Sequence, residues 1–395
     1  MTLVAVVGGG QLGQMLALAG IPLGLRFRFL DPDRGCPAGR VGELVVGAYD
    51  DPEALRALTR GAAVVTFEFE NVPAAAAAWL AERQGEGAPP LRPPARSLEV
   101  GQDRVVEKSF FRSVGIPTAP FAAVDCADDA VGAVALVGLP AVLKTRRMGY
   151  DGKGQRVLMP DGGSPAEQVV SAWRTLGGVP CVLEAFVNFR REVSSIGVRG
   201  LDGAVAVYPL VRNVHCGGIL RTSRAPADDP DAGQPSLAST MQAGVAAAAH
   251  TRRLLEALDH VGTLCIEFFD VGPSAQGGLL ANEFAPRVHN SGHWTIEGAA
   301  TSQFENHLRA ILGWPLGDTA VRGQAAMVNL IGDLPPREEL LAVPGAALHL
   351  YGKDSRPGRK LGHVTVVAAS AEELQVRLAV LEALATEPRP RQATT

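Results

Sequence analysis

Residues 279–294 read LLANEFAPRVHNSGHW, an apolar run that passes abruptly into a carboxylate, an arginine, an asparagine amide and two histidines. Just upstream lies TLCIEFFDV (residues 263–271), a second apolar run with an acid at its centre, and the two are joined by GPSAQGG, a turn signal. The spacing predicts a β-hairpin. A hairpin symmetric about Ala275 sets Glu267 directly opposite Glu283, on one face of the sheet. Opposed like charges destabilise a strand pair, so the two acids need a cation between them, or one must hold a proton. Oxygen ligands facing a bound triphosphate are the usual way to hold Mg²⁺. The alternative is a one-residue bulge that turns one acid to solvent.

Working outward, 395 residues allow two or three domains. A net charge of −4 gives no basic footprint, which disfavours nucleic acid as a partner. Cys36, Cys126, Cys181, Cys216 and Cys265 are scattered and never form C-x-x-C. Disulfides and thiolate zinc are therefore not expected, and a reducing cytoplasmic setting is. The N-terminus shows no signal-peptide pattern, and no apolar run reaches the length of a membrane span.

The chain opens with a strand, then Gly8-Gly9-Gly10-Gln11-Leu12-Gly13, then a helical pattern. That is the G-x-G-x-x-G context of a dinucleotide site, with Asp31 ending the next strand about where a ribose-binding acid falls. A nicotinamide oxidoreductase is thus one hypothesis. The same turn also binds other phosphates, or lets helix and strand pack closely. AAVVTFEFENVP (residues 62–73) predicts a further parallel strand with Glu68 and Glu70 at its C-terminal end, where open α/β sheets bind ligands. EGAPPLRPPARS (residues 86–97) marks a first domain boundary. In QDRVVEKSFFRSVGIPTAPF, Arg104 and Lys108 share a helical face, and surface charge is the default reading for both.

GLPAVLKTRRMGYDGKGQRVL (residues 138–158) sets Lys144 in mid-strand, costly to bury unless paired. The glycine-rich loop Gly149-Tyr150-Asp151-Gly152-Lys153-Gly154 can turn backbone N–H groups onto phosphate oxygens, although it is not a Walker A loop. In CVLEAFVNFRREVSSIGVRG (residues 181–200), the backbone beside Glu184 can bracket an adenine and Glu192 can take a ribose hydroxyl. His215 is a further candidate contact. In the last segment, Lys353, Arg356, Arg359 and Lys360 crowd one turn between two strands. Four cations so placed repel one another, which favours an anionic ligand there.

A strand lysine, a glycine-rich loop, a hinge glutamate and a paired-glutamate hairpin resemble the ATP-grasp superfamily. More closely, GGGQLGQM, FEFENVP, QDRVVEK, GYDGKGQ, NEFAPRVHNSGHW and YGKDSRPGRKLGH, in that order, resemble the 5-(carboxyamino)imidazole ribonucleotide synthases, from about Val4 to about His363. The resemblance implies an α/β and α+β chain. A Rossmann-like N-terminal domain (1–97) precedes a central ATP-grasp fold (98–322, with a mobile lid at about 120–190) and a small C-terminal β-rich domain (323–395). It implies ATP-dependent carboxylation of 5-aminoimidazole ribonucleotide by bicarbonate, with Mg²⁺ or Mn²⁺, in a cytoplasmic homodimer without nucleic-acid or membrane partners.

The residues the resemblance assigns to ATP are Arg104, Lys144, Gly149, Tyr150, Asp151, Gly152, Lys153, Gly154, Gln155, Glu184, Ala185, Phe186, Val187, Glu192, His215, Asn282 and Glu283. Glu267 and Glu283 would hold the metal. Gly10, Gln11, Leu12, Glu70, Tyr150, Asp151, Lys353, Arg356, Arg359 and Lys360 would meet the ribonucleotide, so the glycine fingerprint would not bind a nicotinamide. Arg287, His289, Asn290 and Lys353 would act on bicarbonate and the carboxyphosphate made from it. Many ATP-grasp enzymes carry asparagine two residues after the second metal acid. Here that position is Ala285, as in the closer family, which leaves the metal fewer protein oxygens. A formate-using ATP-grasp formyltransferase is opposed by HNSGHW and RPGRK, and a non-catalytic nucleotide binder by the presence of both metal acids.

Overall fold

The computed structural model describes residues 1–84, 87–149, 154–227, 237–272 and 278–386. Three sheets organise it. The first has four parallel strands in the order Glu43–Val46, Arg26–Asp31, Leu3–Val7, Val64–Phe67. Leu3–Val7 and Val64–Phe67 are buried throughout and read as almost wholly apolar runs for that reason, whereas the edge strand Glu43–Val46 is partly exposed. The Pro-rich stretch 87–94 is laid against this sheet, with Leu91 bridging Val65. The fourth strand stops at Phe67, so Glu68 and Glu70 stand beyond its C-terminal end.

The second sheet is antiparallel, in the order Phe121–Val124, Cys181–Ala185, Ala141–Thr145, Gln155–Leu158. The helices Asp129–Val137 and Pro165–Thr175 close a separate small core over it. The third sheet has nine strands and starts at the predicted hairpin, Leu279–Ala285 beside Gly262–Asp270. It runs on through Arg191–Arg199, Val211–Cys216 and Ile219–Ala225. The strands Gln324–Ile331, Lys360–Ala368 and Ala346–Leu350 extend it without a break, because Thr222–Ala225 pairs with Ala325–Val328. The C-terminal β-rich segment therefore grows from the edge of the central sheet.

The hairpin register has a cause that symmetry about Ala275 did not include. Near the turn, Asp270 pairs with Leu279 and Phe268 with Ala281, which centres the hairpin half a residue earlier. A bulge at Asn282 then restores the shift, so that Glu267 faces Glu283. The bulge creates the opposed pair.

Helix Arg104–Ser113 packs on this hairpin and is capped by Asp103, whose Oδ1 accepts from Val105 N at 3.0 Å and Val106 N at 3.3 Å. The cap and the helical period turn Glu107, Lys108 and Phe111 inward.

Candidate active site

A cavity of about 550 Å³ lies between the second sheet, the hairpin and the C-terminal ends of the first sheet. Its lining includes Gln11, Leu12, Glu70, Arg104, Lys144, Gly149, Gln155, Phe186, Glu192, His215, Glu267, Asn282, Glu283, Arg287, His289, Asn290 and Lys360. Most of the predicted site residues are thus brought to one place from all three sheets. Tyr150, Asp151, Gly152 and Lys153 lie outside the described residues.

The two opposed acids are not equivalent. Arg104 Nη1 lies 2.6 Å from Glu283 Oε2. Burial raises the Glu283 acid, but Arg104, with Lys144 and Lys108, more than offsets this and holds it down at about 2. Glu267 Oε1 lies 3.3 Å from His289 Nε2. Burial, with Glu283 opposite, pushes it up to about 7. The opposed pair is thus eased in two ways: Glu283 has a cation, and Glu267 is pushed towards holding a proton.

His289 is fixed through a directional chain of buried groups. Ser223 Oγ donates to Asn213 Oδ1 at 2.8 Å, Asn213 Nδ2 to Ser194 Oγ at 3.0 Å, and Ser194 Oγ to Ser291 Oγ at 2.7 Å. Ser291 Oγ then has its proton for His289 Nδ1, 2.9 Å away. Burial, with Arg287 and Lys360 nearby, lowers the imidazole to about 3, so it is neutral. The network therefore assigns the Nε2–H tautomer, aimed at Glu267. Gln303 completes the mounting: its Oε1 accepts from His289 N at 3.0 Å and its Nε2 donates to His289 O at 2.6 Å. Asn290 is held by two reciprocal amide bonds with Asn329, at 3.1 and 2.8 Å.

Arg287 Nε is paired with a Glu70 oxygen, and Arg287 Nη1 donates to Val288 O at 2.9 Å. Burial opposes ionisation of Glu70, but Arg287 outweighs it and the carboxyl stays below its ordinary range. His215 Nδ1 meets Glu192 Oε2 at 2.6 Å, which raises the imidazole despite its burial.

Glu184 differs from a simple hinge residue. Its carboxylate is buried, and Oε2 accepts from both Lys108, at 3.0 Å, and Lys144, at 3.1 Å. The next two backbone donors are engaged, Ala185 N to Pro120 O at 2.9 Å and Phe186 N to Pro140 O at 3.0 Å. Phe186 is exposed at the cavity wall, with Val187 beside it half-buried.

Lys353 Nζ bonds Gln11 Oε1, which joins the C-terminal turn to the first helix. Arg359 Nη1 donates to Asp354 O at 3.3 Å, while Arg356 is exposed on the same turn and does not line the cavity.

The glycine fingerprint is filled from within. Glu68 takes Gly10 N at 2.6 Å on Oε1 and Gly13 N at 3.0 Å on Oε2, where a dinucleotide would place its pyrophosphate. A Cβ on Gly10 would collide with that carboxylate. Asp31 is also committed, accepting from Gly9 N at 2.8 Å, Tyr49 Oη at 2.9 Å and Asp33 N at 2.8 Å. The oxidoreductase hypothesis loses both of its anchors.

Sequence reasoning missed Lys108, Glu107, Gln303, Ser291 and Asn329. Lys108 carried a signal, since it lies three residues before Phe111 on the inward helical face.

Comparison with known proteins agrees with this geometry. Residues 1–102 match the ribonucleotide synthetase preATP-grasp domain, 109–304 the ATP-grasp domain, and 325–377 the phosphoribosylaminoimidazole carboxylase C-terminal domain. Fold and site together define an ATP-grasp ligase. The N5-carboxyaminoimidazole ribonucleotide synthase of Pseudomonas aeruginosa is 50% identical over 381 residues, covering 96% of this chain and 99% of that one. The crystal structure of the Thermus thermophilus N5-carboxyaminoimidazole ribonucleotide synthetase superposes with a TM-score of 0.87 at 54% identity, covering 98% and 99%. That of the Aspergillus clavatus enzyme, in complex with ADP and 5-aminoimidazole ribonucleotide, gives 0.83 at 29%, covering 97% and 99%. The chain belongs to the N5-carboxyaminoimidazole ribonucleotide synthase family.

Proposed function

We infer that the chain carboxylates 5-aminoimidazole ribonucleotide with bicarbonate and ATP, giving 5-(carboxyamino)imidazole ribonucleotide, ADP and phosphate for purine biosynthesis. The observation that carries this reading is the opposed pair Glu267 and Glu283, set in one cavity with Arg104, Lys144, Arg287 and His289.

ATP lies between the second sheet and the hairpin. Arg104, Lys144 and the 149–154 loop meet its phosphates, Glu192 with His215 the ribose, and the backbone of the 184–187 segment with Gln155 the adenine side, the Glu184 carboxylate itself being turned away to the two lysines. The pair fits Mg²⁺, or Mn²⁺, by its chemistry: two hard oxygen donors, one of them pushed up by burial and by the other acid opposite. Among the described residues no group of three or more His, Cys, Asp or Glu gathers, which leaves the other positions to phosphate oxygens and water. When bound, the metal neutralises charge as the γ-phosphoryl group passes to bicarbonate.

Arg287 presents parallel donors to the bicarbonate oxygens, Asn290 adds a neutral donor, and His289 offers the Nε2–H that it otherwise directs at Glu267. The resulting carboxyphosphate is attacked at its carboxyl carbon by the exocyclic amine, directly or after release of CO₂. On the direct route the carbamate C–N bond forms as the C–O bond to phosphate breaks, on the other that bond breaks first, and in both the amine gives up a proton to the released phosphate. Glu70, with Tyr150 and Asp151, orients the amine. Gly10, Gln11 and Leu12 at the first helix, with Lys353, Arg356, Arg359 and Lys360, seat the ribonucleotide phosphate or the carboxyphosphate. The acyl phosphate hydrolyses readily, so closure of the 149–154 loop to exclude water is part of the same proposal.

The domain limits that go with this reading are 1–97, 98–322 and 323–395, with residues 120–190 as a lid. The separate sheet and core of that segment support the last. No described helix is long and apolar enough to cross a membrane. A cytoplasmic homodimer using only small molecules is part of the same proposal. The test is ADP release with 5-aminoimidazole ribonucleotide, with and without bicarbonate: ADP and carbamate should form together only when both are present. ADP release indifferent to bicarbonate would sink the reading.

A further inference from the structure

We propose that Lys108 is a positioning residue, the permanent counter-ion of Glu184 that leaves Lys144 free to move from that carboxylate to the phosphates of ATP. The inference rests on the reading of the cavity as an ATP site.

Two ammonium groups converge on one oxygen. Lys108 Nζ lies 3.0 Å and Lys144 Nζ 3.1 Å from Glu184 Oε2, while Oε1 is buried without a hydrogen-bond partner among the described residues. One carboxylate needs only one of these charges. The two lysines differ in what else they can reach. Lys108 is 1% exposed, does not line the cavity, and spends another hydrogen on Asn282 O at 2.9 Å. Lys144 is 14% exposed, lines the cavity, and among the described residues has only a long 3.4 Å contact to Asn282 Oδ1 besides Glu184.

Lys108 therefore cannot serve a ligand, and Lys144 can. A buried carboxylate stripped of its cation is costly. With Lys108 in place, Lys144 can turn to a phosphate and leave Glu184 paired. Without it, each departure of Lys144 strands a buried anion, so Glu184 competes with the nucleotide for the same ammonium. Lys108 also ties Glu184, on the second sheet, to the bulge residue that sets Glu283 opposite Glu267.

The experiment is titration calorimetry of Mg²⁺·ADP into the parent, Lys108→Met and the double variant Lys108→Met/Glu184→Gln, with KM values for both substrates. In Lys108→Met the ADP Kd and the KM for ATP should rise roughly 10- to 100-fold, the scale of one hydrogen bond to a charged group. The KM for the ribonucleotide should stay unchanged. Removing the Glu184 charge as well should return the ADP Kd close to the parent value. A merely structural lysine would shift both KM values together and gain nothing from the second substitution. Parent-like ADP binding by Lys108→Met, or a double variant as weak as the single, overturns the proposal. Should the single variant not fold, the double variant decides alone: near-parent affinity supports the role, and a loss of about tenfold or more overturns it. A parent that binds no ADP overturns the ATP reading itself, which is a separate arm of the titration.

Discussion

The turn that carries Lys353 makes a pH prediction whose sign separates chemistry from unfolding. Burial lowers this ammonium, Glu68 raises it, and Arg359, Lys360 and Arg356 lower it further, to about 8 from the usual 10.5. In the free enzyme the group is therefore charged below pH 8 and neutral above. The charged fraction is about nine-tenths at pH 7, about half at pH 8 and about one-tenth at pH 9. If the ammonium holds an anionic part of the substrate, kcat/KM for the ribonucleotide should stay flat to about pH 7.5 and then fall towards tenfold per pH unit. Stability should move the other way. Between pH 8 and 10.5 the unfolded chain binds this proton and the folded chain does not, so the Lys353 contribution to stability rises with pH. Loss of the Lys353 proton therefore does not itself unfold the chain, and a melting curve at each pH separates alkaline unfolding by the buried tyrosines and cysteines, whose acidities burial pushes up, from the predicted loss. The assay is coupled ADP release at ribonucleotide well below KM, with saturating ATP and bicarbonate. Lys353→Arg keeps its charge throughout and should remove the alkaline limb. A flat profile to pH 9.5, or the same limb in Lys353→Arg, would refute the assignment.

Three further outcomes are expected. Glu283→Gln should abolish turnover with the fold intact by circular dichroism, and Glu267→Gln should act in the same direction more mildly; near-normal rates at saturating Mg²⁺ would contradict the metal pair. Arg287→Lys should still bind ATP and release ADP slowly, with carbamate per ADP, measured by trapping labelled bicarbonate, falling well below one; a parent-like ratio would give Arg287 a structural role only. Gln303→Met keeps the volume but strands His289 N and O, at roughly 1–3 kcal/mol for each unsatisfied buried group. Denaturant melts should show a loss of that order, and kcat should fall with the KM for ATP unchanged; a variant as stable as the parent would remove Gln303 from the mounting of His289.

What was legible in the sequence is what local pattern encodes. The opposition of Glu267 and Glu283 followed from alternation and loop length, although the observed route passes through a bulge at Asn282 that no local signal announced. The glycine fingerprint was correctly placed between strand and helix. Its occupant was not legible, because Glu68 comes from 55 residues beyond Gly13. Lys108 reads as surface charge in sequence because charge on a helical face is usually solvated, and the carboxylate that pairs with it lies on the second sheet, 76 residues further along the chain. Gln303 and Asn329 resemble any other polar residue in sequence. They matter only because helix Gln303–Leu312 and strand Gln324–Ile331 abut the 289–290 turn. Short-range periodicity gave the elements and their acids. The second layer of partners depends on contacts across sheets.

Those partners explain how so many charges stand in one cavity before any ligand arrives. Arg104 rests on Glu283, Lys144 on Glu184, and Arg287 on Glu70. In the proposed reaction each of these pairs has to be exchanged. Phosphate takes Arg104 and Lys144, the metal takes Glu283, bicarbonate takes Arg287, and the substrate amine takes Glu70. An internal pair keeps each charge compensated and in position, so that ligand binding substitutes one compensated arrangement for another and little reorganisation remains for the chemical step. The exchange is reciprocal: a cation freed without its carboxylate being claimed leaves an uncompensated anion behind, at greatest cost for the buried Glu184 and at less for the partly exposed Glu283 and Glu70. Nucleotide without metal strands Glu283, and bicarbonate without the aminoimidazole strands Glu70. Cleavage of ATP is thereby disfavoured until every component is present, which suits a reaction whose acyl phosphate intermediate must not meet water.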